Sequence, residues 1–96
     1  MKKPMAPKIG SVTYKVRRIH MSDLGECDSV NCEININTDL VEERDDEVYI
    51  HEHLHAIVRE YGIDHFIEDE ELFVTLLTPG ILQLVRQMLE VNNANV

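Results

Sequence analysis

The chain has 96 residues, which is enough for one hydrophobic core and too few for two. Its 18 acidic residues against nine Lys and Arg give a formal net charge of −9, and such a charge repels the phosphates of nucleic acid. Two cysteines are too few for a disulfide scaffold, and their spacing fits neither a zinc finger nor a C-x-x-C redox pair. We therefore expect one domain with reduced thiols at Cys27 and Cys32, and no nucleic-acid partner.

The N-terminal ten residues, M-K-K-P-M-A-P-K-I-G, combine lysines with prolines and predict a flexible basic arm over residues 1–10. No apolar run follows these charges as it does in a secretory signal, and we expect no segment with the ~20 apolar residues of a membrane span. The sequence thus predicts a soluble, cytoplasmic protein with no membrane partner. Residues 11–91 form the expected domain, and residues 92–96 are expected to be a frayed tail.

Two segments alternate apolar and polar side chains with the period of a half-buried strand. The first runs from Val12 to Arg17, and the second from Cys32 to Asn37. The turn-rich segment 22–31 between them leaves room for a short strand near Glu26 and Cys27.

A first helix is expected to start near Leu40, after a cap at Thr38 or Asp39, and to end at Tyr61 because Gly62 supplies a stop. Its apolar side chains recur at three- and four-residue spacing.

A second helix is expected to start within residues 67–71 and to continue through Leu89. Pro79-Gly80 should bend or split it, because proline removes a backbone donor and clashes with the preceding turn. Together these elements predict an α+β fold in which a small antiparallel sheet of two or three strands packs on two helices.

The segment I-H-E-H-L-H-A-I carries three of the five histidines within five positions of the first helix. His51 and His55 are one helical turn apart, so both imidazoles can reach one ion. Glu52 is the next residue around the helix and can address a water bound to that ion. This is the H-E-x-x-H arrangement of zinc peptidases. His53 points away from His51 and is expected to be solvent-facing or to support the site indirectly.

A catalytic zinc takes a third protein ligand and keeps one position open. Helical periodicity alone would not select Glu71 as this third ligand, because Glu70 lies on the same helix face as more of the apolar residues that follow. The downstream candidates are Asp64, His65, Glu68, Asp69, Glu70 and Glu71.

From about Val30 to Arg86 the chain resembles the small zincin metallopeptidases of phages and mobile elements, which are related to the ImmA/IrrE group and more distantly to thermolysin-like gluzincins. The residues that carry the resemblance are C-E-I-N-I-N, the H-E-x-x-H helix and E-E-L-F-V-T-L-L-T-P-G-I-L-Q-L. The resemblance implies a minimal zincin-like fold with Glu71 as the third zinc ligand and Glu70 as the runner-up. The chain departs from the pattern at Thr75, where relatives often carry an acidic or polar group that supports a histidine.

These features predict a zinc-dependent metallopeptidase, a hydrolase in which Glu52 is the general base toward a peptide or protein substrate. The strand from Asn31 to Asn37 is expected to form the rim on which an extended peptide pairs. His65 and His20 are possible oxyanion donors, although each is more often an ordinary histidine. The alternative is a non-catalytic, acidic, phage-type binding or inhibitory protein with a structural or vestigial metal site.

Overall fold

The computed structural model describes residues 1–94, and it describes side chains through Asn92. The α+β class is confirmed, with two helices and two small sheets of two and three strands. In chain order the elements are β1 (Lys8–Ile9), β2 (Val12–Thr13), β3 (Lys15–Ile19), β4 (Gly25–Asp28), β5 (Glu33–Asn37), α1 (Glu42–Glu60), a 3-10 helix (Ile63–Phe66) and α2 (Glu70–Ala94). Of the tail expected to fray, residues 92–94 continue α2, and residues 95–96 lie outside the described residues.

The three-stranded sheet has the order β3-β5-β4 and is mixed, which corrects the expectation of a purely antiparallel sheet. β4 and β5 pair antiparallel, and the tight turn between them is closed by the Asp28 carboxylate, which accepts N–H groups of Val30 and Asn31 at 3.1 Å. β5 then lies between β4 and β3 and runs parallel to β3, with Val16 opposite Ile34. The parallel pair needs no helical crossover, because β4 itself connects β3 to β5: the chain turns back along β4 and then returns along β5, which lies beside β3.

The core lies where the sheet meets α1. Alternate residues of β5 turn inward, so that Ile34 and Ile36 are fully buried, and Tyr14, between β2 and β3, is fully buried beside them. Each such side chain contributes roughly 1.5–3 kcal/mol on burial. Helix α1 is central, since it packs against β4 and β5 on one side and against α2 on the other. The helical residues of this core are Val48, Tyr49, Ile50, Leu54, Ala56, Val58, Val74 and Leu82.

The ends of α1 match the expected stop but not the expected cap. Gly62 adopts the left-handed conformation, with φ of 70°, directly after the helix ends. At the other end the N-cap is Val41, which has no side-chain hydrogen bond, so neither Thr38 nor Asp39 caps this helix. Acidic residues in the first turn favour the start of the helix instead, because they face the positive end of its dipole.

Residues 1–10, which were expected to form a flexible arm, are docked on the domain. The Lys3 ammonium donates to Asp45 at 2.6 Å and also to Asp46, and its side chain is 9 % exposed. Tyr49 donates its hydroxyl proton to the carbonyl oxygen of Pro4 at 2.9 Å. The expectation was wrong because basic N-terminal residues meet the acidic first turns of α1, and that attraction acts between distant parts of the sequence.

Helix α2 is not split at Pro79, since it runs without interruption from Glu70 to Ala94. Asp69 supports its start by accepting the N–H of Leu72 at 3.0 Å. By length and composition the segment Glu70–Asn92 is apolar enough to cross a membrane, which corrects the expectation that no segment is. In its most apolar stretch of 18 residues, 17 % of the residues are buried. Several large apolar side chains of this helix are therefore exposed.

Candidate metal centre

Helix α1 brings together three side chains that could hold a metal ion. The ligand atoms of His51, Glu52 and His55 all lie within 4.8 Å of one another. The imidazole rings of His51 and His55 lie one helical turn apart, with their centroids separated by 5.0 Å. Their planes are inclined at 67°, so the edge of one ring points toward the face of the other. His55 is buried and His51 is partly exposed, so the pair lies at the boundary between core and solvent.

The first turn of α2 brings the Glu71 carboxylate to both imidazoles. Its Oε1 lies 2.9 Å from His51 Nε2, and its Oε2 lies 2.7 Å from His55 Nε2. Partial burial opposes ionisation of Glu71, but hydrogen bonds from the two histidines and their charges outweigh this effect and lower its pKa. Two imidazole nitrogens and a carboxylate are also the donor types that three-ligand zinc sites use, so these residues could hold a metal ion.

Glu70 contacts the other nitrogen of His55. Its Oε2 pairs with His55 Nδ1 and also accepts from Arg59 Nε at 3.1 Å. A carboxylate on Nδ1 fixes the ring tautomer and orientation and leaves Nε2 free to bind a metal. The adjacent glutamates thus divide between the two nitrogens of one ring, and Glu71 alone reaches both histidines through Nε2.

Glu52 lies beside the imidazoles and is buried, with 7 % of its surface exposed. Burial raises the pKa of its carboxyl to about 7, an effect that His55 opposes and Glu71 reinforces. A carboxyl that titrates near neutral pH is suited to accept and return a proton.

Strand β4 forms the wall of the site opposite α2. A Cβ at Gly25 would lie 2.6 Å from Val48 Cγ1 and 3.2 Å from Glu52 Cγ, so β4 passes close over α1 where Glu52 projects. The space between them is a cavity of about 300 Å³ lined by Asp23, Leu24, Gly25, Glu47, Val48, His51, Glu52 and Glu71.

The rim expected at Asn31 to Asn37 is wrong, because β5 pairs on both of its edges and has no free backbone groups to offer a peptide. The strand at the sheet edge beside the cavity is β4. Leu24 accepts the N–H of Asn37, so the alternating antiparallel pattern directs the backbone groups of Gly25 and Cys27 away from β5.

The remaining histidines lie apart from the cluster. His53 packs on Tyr49, with ring centroids 5.7 Å apart, and its buried Nδ1 has no hydrogen-bond partner among the described residues. It is half-buried rather than solvent-facing, and burial lowers its pKa. His20 is exposed beside Asp39, and His65 is exposed in the 3-10 helix.

Two contacts were not anticipated from the sequence. Arg59 donates to Glu70 and, through Nη1, to the carbonyl oxygen of Cys27 at 3.1 Å, so it links α1, α2 and the edge of β4. The sequence could have indicated that Arg59 belongs to the site, because residues four apart on a helix share one face and Arg59 follows His55 by four. The Thr75 hydroxyl lies 3.4 Å from Glu71 Oε1 and therefore supports the carboxylate rather than a histidine.

The cysteines are free, as expected of reduced thiols. Burial raises the pKa of Cys27 to about 12, although Arg59 acts in the opposite direction. A thiol with this pKa stays protonated at neutral pH, so it is neither a strong nucleophile nor a ready metal ligand.

No protein-family model, curated protein or solved structure matches the chain.

Proposed function

We propose that this protein is a zinc-dependent metallopeptidase in which His51, His55 and Glu71 hold the metal and Glu52 is the general base. The observation that carries the proposal is the Glu71 carboxylate, whose two oxygens lie within 2.9 Å of the Nε2 atoms of both histidines. Two imidazoles and one carboxylate leave a fourth position for water or substrate, which is what a catalytic zinc requires.

Bound zinc supplies a Lewis acid that polarises a peptide carbonyl and lowers the pKa of water. Glu52 takes a proton from the attacking water as its oxygen bonds to the carbonyl carbon. When the C–N bond breaks, Glu52 returns that proton to the leaving amine. The edge of β4 aligns the substrate as an added strand through the backbone groups of Gly25 and the N–H of Cys27, since the carbonyl oxygen of Cys27 accepts from Arg59.

Metal analysis of three matched variants tests the ligand set. Glu71→Gln removes a carboxylate that contacts both Nε2 atoms, so we expect loss of the one equivalent of zinc together with activity. Glu70→Gln leaves the ligand atoms in place, and we expect zinc affinity to fall about 10- to 100-fold. Glu68→Gln changes an exposed neighbour and should retain zinc. If Glu70→Gln loses zinc while Glu71→Gln keeps it, Glu70 is the ligand.

Cleavage of a mixed peptide library by Glu52→Gln tests the general base. Glutamine is almost isosteric and Glu52 is not assigned as a ligand, so zinc content and melting temperature should be nearly unchanged. Turnover should fall by about 10²- to 10⁴-fold, the usual effect of losing a positioned proton acceptor. Full activity, or loss of zinc, would contradict this role.

A second candidate is a non-catalytic binding protein with a structural metal site. It is favoured by the contacts of Glu70 and Glu71 with His55, which tie α2 to α1 and give the cluster a role in holding the fold that requires no catalysis. Zinc binding at one equivalent without any cleavage of the peptide library would favour this candidate over the enzyme.

A further inference from the structure

The outer face of α2 is apolar and uncovered. We define it as the exposed apolar side chains that point away from α1, while Val74, Thr78 and Leu82 on the opposite side are buried. Their exposed fractions run from 37 % to 72 %. The members are Leu72, Phe73, Leu76, Leu77, Leu84, Met88 and Val91.

From Leu72 to Leu89 this outer face carries no free charge. Between Leu72 and Leu89 the only ionisable residue is Arg86, and its guanidinium is directed to Asp46 at 3.5 Å. A surface of this size without charge is unusual for a protein of net charge −9. A second copy of the chain could approach along this face without bringing like charges into contact.

The outer face is also symmetric about Gly80. Leu72, Leu76, Gly80, Leu84 and Met88 are spaced by four residues and form one ridge of the kind that interdigitates between packed helices. A Cβ at Gly80 would meet nothing within 4 Å, so the middle of the ridge is open for close approach.

We propose that two copies of this chain form a symmetric dimer through the outer faces of α2, with the two-fold axis at Gly80. The helices then cross antiparallel, with Leu76 against Leu84 of the partner and Leu72 against Met88 of the partner. Each contact occurs twice, as a two-fold interface requires. The proposal is independent of the metal centre, because it uses the side of α2 that faces away from α1.

The available area suits a dimer. Seven large side chains that are about half exposed offer on the order of 600–700 Å² on each copy, close to the ~800 Å² per partner of a standard interface. Burying them removes most of the exposed apolar surface of α2.

A lipid surface fits the same face less well. Membrane-binding helices carry Lys and Arg along their polar side, whereas the only cation of α2, Arg86, is engaged by Asp46. The opposite side of α2 is held on α1 by Val74, Thr78 and Leu82, so the helix cannot leave the domain to span a bilayer while the core is intact. The acidic body of the protein is repelled by anionic lipids.

Sedimentation equilibrium of the full chain, whose protomer mass is 11.1 kDa, measures dimerisation. The test compares variants that place opposite charges at Leu76 and Leu84. Leu76→Glu and Leu84→Lys each put a charge against an apolar side chain, and each should weaken association by at least about 10²-fold. In the double variant Leu76→Glu, Leu84→Lys, each glutamate meets a partner lysine, so dimerisation should be restored. Val30→Glu, at an exposed apolar residue in the β4-β5 turn, is the matched control and should remain dimeric.

Four results would overturn the proposal. These are a monomeric wild type at 100 µM, dimers that survive both single substitutions, a double variant that stays monomeric, and monomers that co-sediment with phosphatidylcholine-phosphatidylglycerol vesicles, which would assign the face to lipid. If the charged variants fail to fold by circular dichroism, Gly80→Cys in a Cys27→Ser, Cys32→Ser background decides. Oxidation should cross-link it into a covalent dimer, since the two positions then lie within disulfide reach, and absence of the cross-link would reject the axis at Gly80.

Discussion

At the scale of single residues, the acidic side chains of this protein differ by what surrounds them. Glu70 and Glu71 are neighbours, yet about 100° of helical rotation separates them, so they meet different nitrogens of His55. Asp45 is held by two cations: Arg18 donates to it twice at 2.8 Å, and Lys3 donates at 2.6 Å. These hydrogen bonds stabilise the ionised form, so position and partners decide what each carboxyl contributes.

Asp45 makes folding stability depend on pH. Hydrogen bonding from Arg18, opposed by burial and reinforced by Lys3, lowers its pKa from the usual 3.8 to about 2. The unfolded chain therefore binds the proton more readily, and the stabilisation is fully present above about pH 4 and disappears as the pH falls toward 2. We expect Asp45→Asn to reduce the free energy of unfolding by about 1–2 kcal/mol at pH 7, because it removes the carboxylate that Arg18 and Lys3 stabilise and solvent screens part of that stabilisation.

Urea unfolding of wild type and Asp45→Asn at pH 7 and at pH 2.5 measures this difference, which should shrink at the lower pH. Asp39→Asn is the control, since Asp39 is exposed and should change stability by less than about 0.5 kcal/mol at either pH. If the difference in free energy of unfolding between wild type and Asp45→Asn grows on acidification, the predicted direction of the pH dependence is wrong.

At the scale of elements, the approach of β4 to α1 shapes the candidate site. β4 contributes the wall opposite α2, and Gly25 is the residue that allows the strand to pass over Val48 and Glu52. A side chain there would push strand and helix apart, because packed interiors have no spare volume for an added methyl group.

Gly25→Ala should therefore lower the free energy of unfolding by about 1–3 kcal/mol, as overpacked positions usually do. Val48→Ala removes the Cγ1 atom that the new Cβ would meet at 2.6 Å. The double variant Gly25→Ala, Val48→Ala should then be less destabilised than the sum of the two single variants. Chemical denaturation of all four proteins measures this coupling, and strictly additive losses would show that the close approach is not the cause.

At the scale of the whole molecule, the apolar core is built from residues other than the proposed metal ligands. Its fully buried members include Ile34 of β5, Val58 of α1 and Val74 of α2. Glu71 already connects α2 to both histidines of α1. The folded state therefore has its own sources of stability, and zinc held at the proposed site would add to them.

Chelation is therefore expected to lower the melting temperature without unfolding the chain at 25 °C. Free zinc at 1,000 times its dissociation constant adds about 4 kcal/mol to the native state, and a chelator removes that contribution. Circular dichroism with and without EDTA, followed by thermal melts, measures both effects. His51→Ala should show no zinc-dependent change in melting temperature. Loss of secondary structure on chelation would instead indicate a structural metal site.

The sequence by itself determined the features that depend on neighbouring residues. Alternating side chains predicted the strands around Val16 and Ile34, Gly62 predicted the end of α1, and four-residue spacing predicted that His51 and His55 lie together. These features follow from the fixed geometry of one strand or one helix, so each can be computed from a short segment.

Only the tertiary structure decided the features that join distant segments. It inserted β5 between β3 and β4, which made one pairing parallel and left β4 at the edge beside the cavity. It docked Lys3 on Asp45 and Asp46, and it set Glu71 across both imidazoles while Glu70 took the far side of one ring. Other strand orders and other placements of these side chains are equally compatible with the local sequence pattern. Packing and charge between elements far apart in the sequence select one of them.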